Sequence, residues 1–296
     1  MEEKTAWEII KLFNNNPSPT EDDIFEFTEA AEYLVRNSDT EAMIELGGYY
    51  YGIQNYDLAY TYYQMAADQG NEYGYLGLGY IFYYGRLGAP DYQRAFEAYS
   101  KAADLGNVNA AYKIADMYKN GYYVKKSYNT YKTMIQKLFS KAKRFQYVGQ
   151  PYPEIALRLA EIRESEGKKK DAANLYFSAR RFLDQRLKWD SFFGNLEIMK
   201  DLVHRIYNII SFDEDNMSFY DLYYLRDKPC TVLFRFGKNI HVVNFVKENG
   251  NIVIQFDDNW YEDIDALMMF GKINNRRLTE IQERFYSFEV EYHGTD

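Results

Sequence analysis

The stretch NEYGYLGLGYIFYYGRLGAPDYQRAFEAYSKAADLGN, residues 71–107, decides the fold. Apolar and small residues recur at helical spacing through Glu72–Tyr84 and again through Tyr92–Leu105, and the segment between them, GRLGAPD, is dense in turn formers. This pattern predicts two helices joined by a loop, with Gly106 as a stop where positive φ costs least. A shift of 36 residues brings Ala30-Ala31, Ala66-Ala67 and Ala102-Ala103 into register, together with Phe27, Tyr63 and Tyr99. Ala59 and Ala95, and the Gly-Asn pairs at 70–71 and 106–107, keep the same interval. Self-similarity at such a period predicts a solenoid of helical hairpins, each burying its apolar face against its neighbours.

The copies are not identical. Leu46-Gly47, Tyr50 and Gly52 match Leu78-Gly79, Phe82 and Gly85 with a loop about four residues shorter, while Ile114-Ala115, Tyr118 and Gly121 keep only the first helix of a third copy. A glycine inside a helix costs up to ~1 kcal/mol relative to alanine, so packing must compensate. Gly47, Gly79 and the Ala pairs are therefore expected where helices approach closely, with Tyr50, Phe82, Tyr63 and Tyr99 filling the space beside them.

The order Leu78-Gly79, Phe82, Gly85, Gly88, Asp91, Ala95, Tyr99, Ala102-Ala103, Gly106 resembles the Sel-one-like repeat, a relative of the tetratricopeptide repeat. The match is close over 41–107, partial over 24–40 and 108–121, and weak beyond. Glu154–Leu183, with Gly167 at its centre, is more similar to a plain tetratricopeptide hairpin, and a helix near Leu196–Ile210 would cap the array. The expected fold is mainly α: an α/α-hairpin solenoid over 1–212 followed by a small α+β domain with an antiparallel sheet over 213–296. Acidic Ser211–Asn216 marks that boundary.

In the C-terminal segment the period changes. Thr231–Phe236, Ile240–Val246 and Ile252–Phe256 are rich in β-branched and aromatic residues, and Asn249-Gly250 marks a hairpin. Helices are expected near Tyr261–Phe270 and Arg277–Arg284, and a last strand over Tyr286–Tyr292. Lys228-Pro229, His241 and Asp257 resemble the distal half of papain-like peptidases of the bacteriocin-processing kind, which implies a His–Asp pair serving a cysteine nucleophile on an upstream helix. Cys230 lies only eleven residues before His241 and leads into a strand, the wrong place for that role. No catalytic residue is therefore assigned.

Composition narrows the function classes. Of 296 residues 47% are hydrophobic and 27% charged, ordinary for a globular chain, whereas the aromatic share of 18%, from 31 Tyr, 20 Phe and 3 Trp, is an excess. Met1–Thr20 is acidic where a secretory signal would be basic, and no apolar run is long enough to cross a bilayer. A single cysteine excludes an internal disulfide and a Cys-based zinc cluster, and three scattered histidines leave little for a metal site. A cytoplasmic protein without metal or small-molecule cofactor is expected. Residues 1–107 hold 6 basic and 18 acidic side chains, a balance of −12; 108–200 stand at +10 and 201–296 at −7. Eight basic residues from Lys119 to Arg144, with no acidic one among them, form a solvated helix face rather than a nucleic-acid site, since the chain is acidic overall and carries no recognised binding module. His204 reads as a core-edge residue, and Glu262, Asp263 and Asp265 as an acidic helix start.

The tetratricopeptide resemblance implies a partner-binding concave face built from first helices. Aligned through Gly79, its positions fall on Tyr73, Leu76, Tyr80, Tyr83 and Tyr84; aligned through Gly47 and Ala115, on Glu41, Ile44 and Tyr51, then Asn109, Tyr112 and Asp116. Tyr51, Tyr73, Leu76, Tyr80, Tyr83, Tyr84, Tyr112 and Asp116 are the expected partner contacts. The expected function is a non-enzymatic scaffold that binds a protein or peptide there, with a degenerate or active papain-like hydrolase domain as the alternative.

Overall fold

A computed structural model describes residues 1–14, 16, 19–142, 152–187, 193–212, 217–248 and 250–293. The chain divides into two compact units, Met1–Leu138 and Phe139–Asp296.

The first unit is a run of helical hairpins: α1 (Glu3–Asn14) with α2 (Glu21–Arg36), α3 (Thr40–Gly52) with α4 (Tyr56–Asp68), α5 (Glu72–Tyr83) with α6 (Tyr92–Asp104), then α7 (Val108–Asn120) and the start of α8 (Tyr128–Ala142). Each helix from α2 to α7 begins on a polar cap whose side chain accepts backbone N–H bonds: Thr20, Asp39, Asn55, Asn71, Asp91 and Asn107. Gly70, Gly106 and Gly121 take positive φ at the helix ends, as the sequence predicts.

The spacing of the hairpins is set by tyrosine rings lying on glycines. A Cβ on Gly47 of α3 would stand 2.6 Å from the Tyr63 ring of α4, and one on Gly77 of α5 would meet that ring at the same distance. Tyr63 is thus held between its own hairpin and the next. Tyr99 of α6 repeats the arrangement on Gly79, where a Cβ would come within 2.3 Å of the ring. At the following copy both members change together: Ala115 stands for Gly79 and Ile135 for Tyr99, and both are fully buried. A smaller partner goes with a larger helix residue. The α1–α2 hairpin, of which the 36-residue pattern marks only α2, closes the other end around Ala6, Ile10, Phe27 and Leu34, with Phe13 stacked on Phe27 at 4.2 Å.

In the second unit α9 (Tyr152–Ser165) and α10 (Lys169–Leu187) form a hairpin on which α11 (Phe193–Ile209) packs. A 3-10 turn at Phe219–Asp221 runs into α12 (Leu222–Leu225), and then come β1 (Cys230–Phe236), β2 (Asn239–Glu248), β3 (Asn251–Phe256), β4 (Asn259–Tyr261), α13 (Ile264–Phe270), β5 (Lys272–Ile273), β6 (Arg276–Arg277), α14 (Leu278–Ile281) and β7 (Phe285–Tyr292). The main sheet has the order β4-β3-β2-β1-β7, antiparallel throughout, with Cys230 opposite Phe245 and Phe234 opposite His241. Helix gives way to strand between Ile209 and Cys230, around the boundary expected at 212/213, but the core is continuous across it. Tyr176, Leu183 and Val203 of the helices share one cluster with Phe219, Tyr223, Phe234, Phe245 and Phe256.

A buried ion pair fastens that junction. Arg180 of α10 donates to both carboxylate oxygens of Asp221 at 2.6 and 2.8 Å and to the Ser218 hydroxyl at 2.5 Å, and the Tyr207 hydroxyl of α11 donates to Asp221 at 2.8 Å. Removing one member of such a pair strands a buried charge.

Gly79→Ala is expected to destabilise the first unit by ~1–3 kcal/mol despite its better helix propensity, because the buried Tyr99 ring has nowhere to go. Gly48→Ala, whose nearest neighbour is 4.0 Å away, is expected to stabilise it by ~0.5–1 kcal/mol. Denaturant titration of the two variants distinguishes packing from propensity. Asp221→Ala is expected to cost ~3–5 kcal/mol and to melt helices and sheet of the second unit in one transition; amide-exchange protection of α10 and β1 lost at different denaturant concentrations would contradict the shared core.

Candidate functional site

The first helices α1, α3, α5 and α7 supply one face of the N-terminal unit, and the expected contact residues distribute over it unequally. Leu76 and Tyr112 are buried and belong to the packing; Tyr51, Tyr80, Tyr83 and Asp116 are partly buried; Tyr73 and Tyr84 are open, at 51% and 46% exposure. The excess tyrosines are not free of structural duty. Tyr80 packs edge-on to Tyr99 at 5.9 Å, and Tyr83 meets Tyr84, Tyr92 and Tyr122 at 5.0–5.9 Å.

Two cations of the chain itself sit in this aromatic cluster, and neither was expected from the sequence. Lys113 of α7 stands at the position equivalent to Gly77, one repeat on. Its Nζ lies 5.4, 5.8, 5.5 and 5.6 Å from the ring centres of Tyr80, Tyr83, Tyr84 and Tyr112, and it donates to the Tyr84 hydroxyl at 3.1 Å. Arg86, just after α5, lies 5.5, 5.2 and 5.4 Å from the rings of Tyr51, Tyr56 and Tyr84, and its Nε donates to the Tyr51 hydroxyl at 3.1 Å. The end of the face near the C-termini of α3 and α5 is therefore aromatic and carries its own cations.

The opposite end differs. An open cleft of about 500 Å³ is lined by Trp7 of α1, Glu41, Ile44 and Glu45 of α3, and Glu72 and Tyr73 of α5. Its floor is stitched: Asn71, which caps α5 by accepting from Tyr73 N at 2.8 Å, also donates through Nδ2 to the Thr40 hydroxyl at the head of α3. Gly74 lets α5 lie close against α4, since a Cβ there would come within 2.5 Å of the Ala67 backbone. Tyr73, Glu41 and Ile44 fall on positions read from the sequence. Trp7, Glu45 and Glu72 do not, because α1 lies outside the repeat pattern and the register of glutamates across helices is a tertiary property.

In the second unit His241 Nδ1–H donates to Asp257 Oδ2 at 2.7 Å, and Asp257 Oδ1 accepts from Val242 N at 3.0 Å. The pair anticipated from the sequence is thus assembled. Its ring lies among Phe234, Phe236 and Phe256, and Nε2 is buried with no hydrogen-bond partner among the described residues. Cys230 is buried four residues from Phe234, the strand partner of His241, which places it about 13 Å along the sheet. It does not face the imidazole. Lys143 and Arg144 of the basic segment, and the Ser211–Asn216 boundary from 213 onward, lie outside the described residues. Among the described residues no group of His, Cys, Asp and Glu is arranged to hold a metal, and no helix is long and apolar enough to cross a membrane.

Burial, with Tyr84 and Tyr122 as the next neighbours, pushes the Tyr83 phenol up to about 12, and burial also drives Tyr63 and Tyr99 up. The folded chain keeps these protons while the unfolded chain releases them near pH 10, so their contribution is intact below that pH and is lost as pH rises through about 10 to 12. The thermal midpoint of the first unit is expected to fall steeply over that window, in step with tyrosinate absorbance, and Tyr83→Phe is expected to flatten the slope.

Comparison with known proteins bears on the middle of the first unit. A family model described as Sel1 repeat matches residues 40–71, 73–107 and 108–130. The Arabidopsis thaliana protein named ERAD-associated E3 ubiquitin-protein ligase component HRD3A is 29% identical over 94 residues, 32% of this chain and 14% of that protein. This chain therefore spans only a small part of that curated relative. Among solved structures, a Sel1 repeat protein from Oxalobacter formigenes superposes with a TM-score of 0.52 at 20% identity, covering 68% of this chain and 75% of the other. A protective antigen present in uropathogenic Escherichia coli strains displaying an SLR fold gives 0.54 at 19%, covering 76% and 46%. These likenesses are of fold. Glycine-spaced hairpins, polar caps and family match agree, and residues 40–130 match the Sel1 repeat three times within a run of helical hairpins.

Proposed function

We propose that this chain is a non-enzymatic protein–protein interaction scaffold whose first-helix face receives a peptide or protein segment. The observation that carries the reading is the cleft across α1, α3 and α5, continued along α5 by the exposed rings of Tyr73 and Tyr84. Tyrosine supplies large contact area with few rotors and a polar tip, a combination enriched at recognition surfaces. A solenoid presents such a face repeatedly along its length. The plant relative is by its name a component of a ligase, a protein that works within an assembly, which supports the same reading. A cytoplasmic setting is part of the proposal.

The alternative of a hydrolase domain has the His241–Asp257 hydrogen bond in its favour and no thiol facing the ring. On the scaffold reading the pair is a structural clamp: Asp257 holds the start of β2 through both His241 and the Val242 N–H, at the turn between β3 and β4. The second unit then adds a further contact surface.

A photo-crosslinking residue at Tyr73 or Tyr84 is expected to trap a partner in native cell extract, whereas the same residue at Gln93 or Glu97 of α6 is not. Equal trapping at both faces would remove the first-helix face as the binding surface.

A further inference from the structure

We propose that the cleft between α1, α3 and α5 is a receptor for an arginine side chain carried on a basic segment of the partner protein. This inference rests on the scaffold reading and narrows it to one chemistry. The lining offers three carboxylates, Glu41, Glu45 and Glu72, two aromatic rings, Trp7 and Tyr73, and the aliphatic Ile44, with no basic residue. Among the described residues none of the three glutamates is in an ion pair; Glu45 accepts one hydrogen bond, from Asn14 Nδ2 at 3.0 Å. Glu41 and Glu72 stand in first helical turns, where the helix dipole favours them, but that does not account for Glu45 in the second turn of α3, nor for two large rings on the same cleft.

The two ends of the face explain each other. At the tyrosine cluster the chain supplies its own cations, Lys113 and Arg86, to the rings. At the cleft the rings lie beside carboxylates instead, no basic residue is among the lining residues, and the region has a balance of −12. An anionic or phosphorylated segment would be repelled by three carboxylates, and an apolar side chain would desolvate them without return. A guanidinium satisfies both halves of the lining: its plane stacks on aromatic faces and its fork of donors matches carboxylates. The stitched heads of α3 and α5 keep the cleft preformed.

The test uses the full chain and two labelled peptides, acetyl-GSRGSRGSR-amide and its citrulline counterpart, which keeps shape and hydrogen bonding but loses charge. Fluorescence anisotropy is expected to show binding of the arginine peptide at least about tenfold tighter, the size of one ring contact plus partly exposed ion pairs. The Trp7 indole N–H resonance is expected to move on titration. The double variant Glu41→Gln/Glu72→Gln should lose about tenfold, and Tyr73→Leu should weaken binding while keeping bulk; Glu97→Gln/Asp104→Asn, with the same change of charge on α6, should not. Equal affinity for the two peptides, an unmoved Trp7 signal, or an equal loss in the α6 variant overturns the inference. If crosslinks at Tyr73 trap a partner through a segment without basic residues, the scaffold reading stands and the arginine receptor falls. If the arginine peptide binds as described while crosslinks trap nothing at this face, the receptor stands and the scaffold reading falls.

Discussion

The ring of a tyrosine lying flat on a glycine of the neighbouring helix is the constraint from which the N-terminal unit follows. Tyr63 touches Gly47 and Gly77, and Tyr99 touches Gly79, at distances that leave no volume for a methyl group. A glycine in mid-helix is unfavourable by itself. It persists because the ring fills its place and a fully buried aromatic contributes more apolar area than the glycine costs in propensity. The helix-to-helix distance within a hairpin and from one hairpin to the next is set by the same contact, so the repeat length and the packing are two expressions of one fit.

The first-helix face inherits its chemistry from that scheme. Where the third repeat abandons the glycine, Lys113 takes its position and turns its ammonium onto four tyrosine rings. The tyrosines that look surplus in the sequence are consumed there by packing and by internal cations, and only Tyr73 and Tyr84 remain open. At the other end of the same helices the rings face glutamates instead, and the cleft is left with one sign of charge. A single face thus has a half that carries its own cations on tyrosine rings and a half lined by carboxylates with no basic residue among the lining residues.

The second unit is organised by a buried charge rather than by a repeat. Asp221 gathers Arg180, Ser218 and Tyr207 at the point where helices give way to strands, and one core runs on both sides of it. The His241–Asp257 pair has the geometry of a catalytic dyad in one hydrogen bond and lacks it in everything else: the free ring nitrogen is sealed among phenylalanines, and the lone cysteine lies farther along the sheet.

The sequence by itself determined the repeat hairpins, their period, Gly47 and Gly79 at close approach and the places of four strands, because each of these is local: caps, turn residues and periodicity act within a few residues of one another. It also brought His241 and Asp257 forward as a pair, and Tyr73, Glu41 and Ile44 as members of one face. It did not separate buried from open tyrosines, since Tyr112 and Tyr84 carry the same side chain and differ only in what packs over them. The meeting of Trp7 with Glu45 and Glu72, the seat of Lys113, and the core shared by Tyr176 and Phe245 were decided by tertiary structure alone. Those contacts join residues far apart in the chain, and their register depends on how rigid elements stack, which no local pattern encodes.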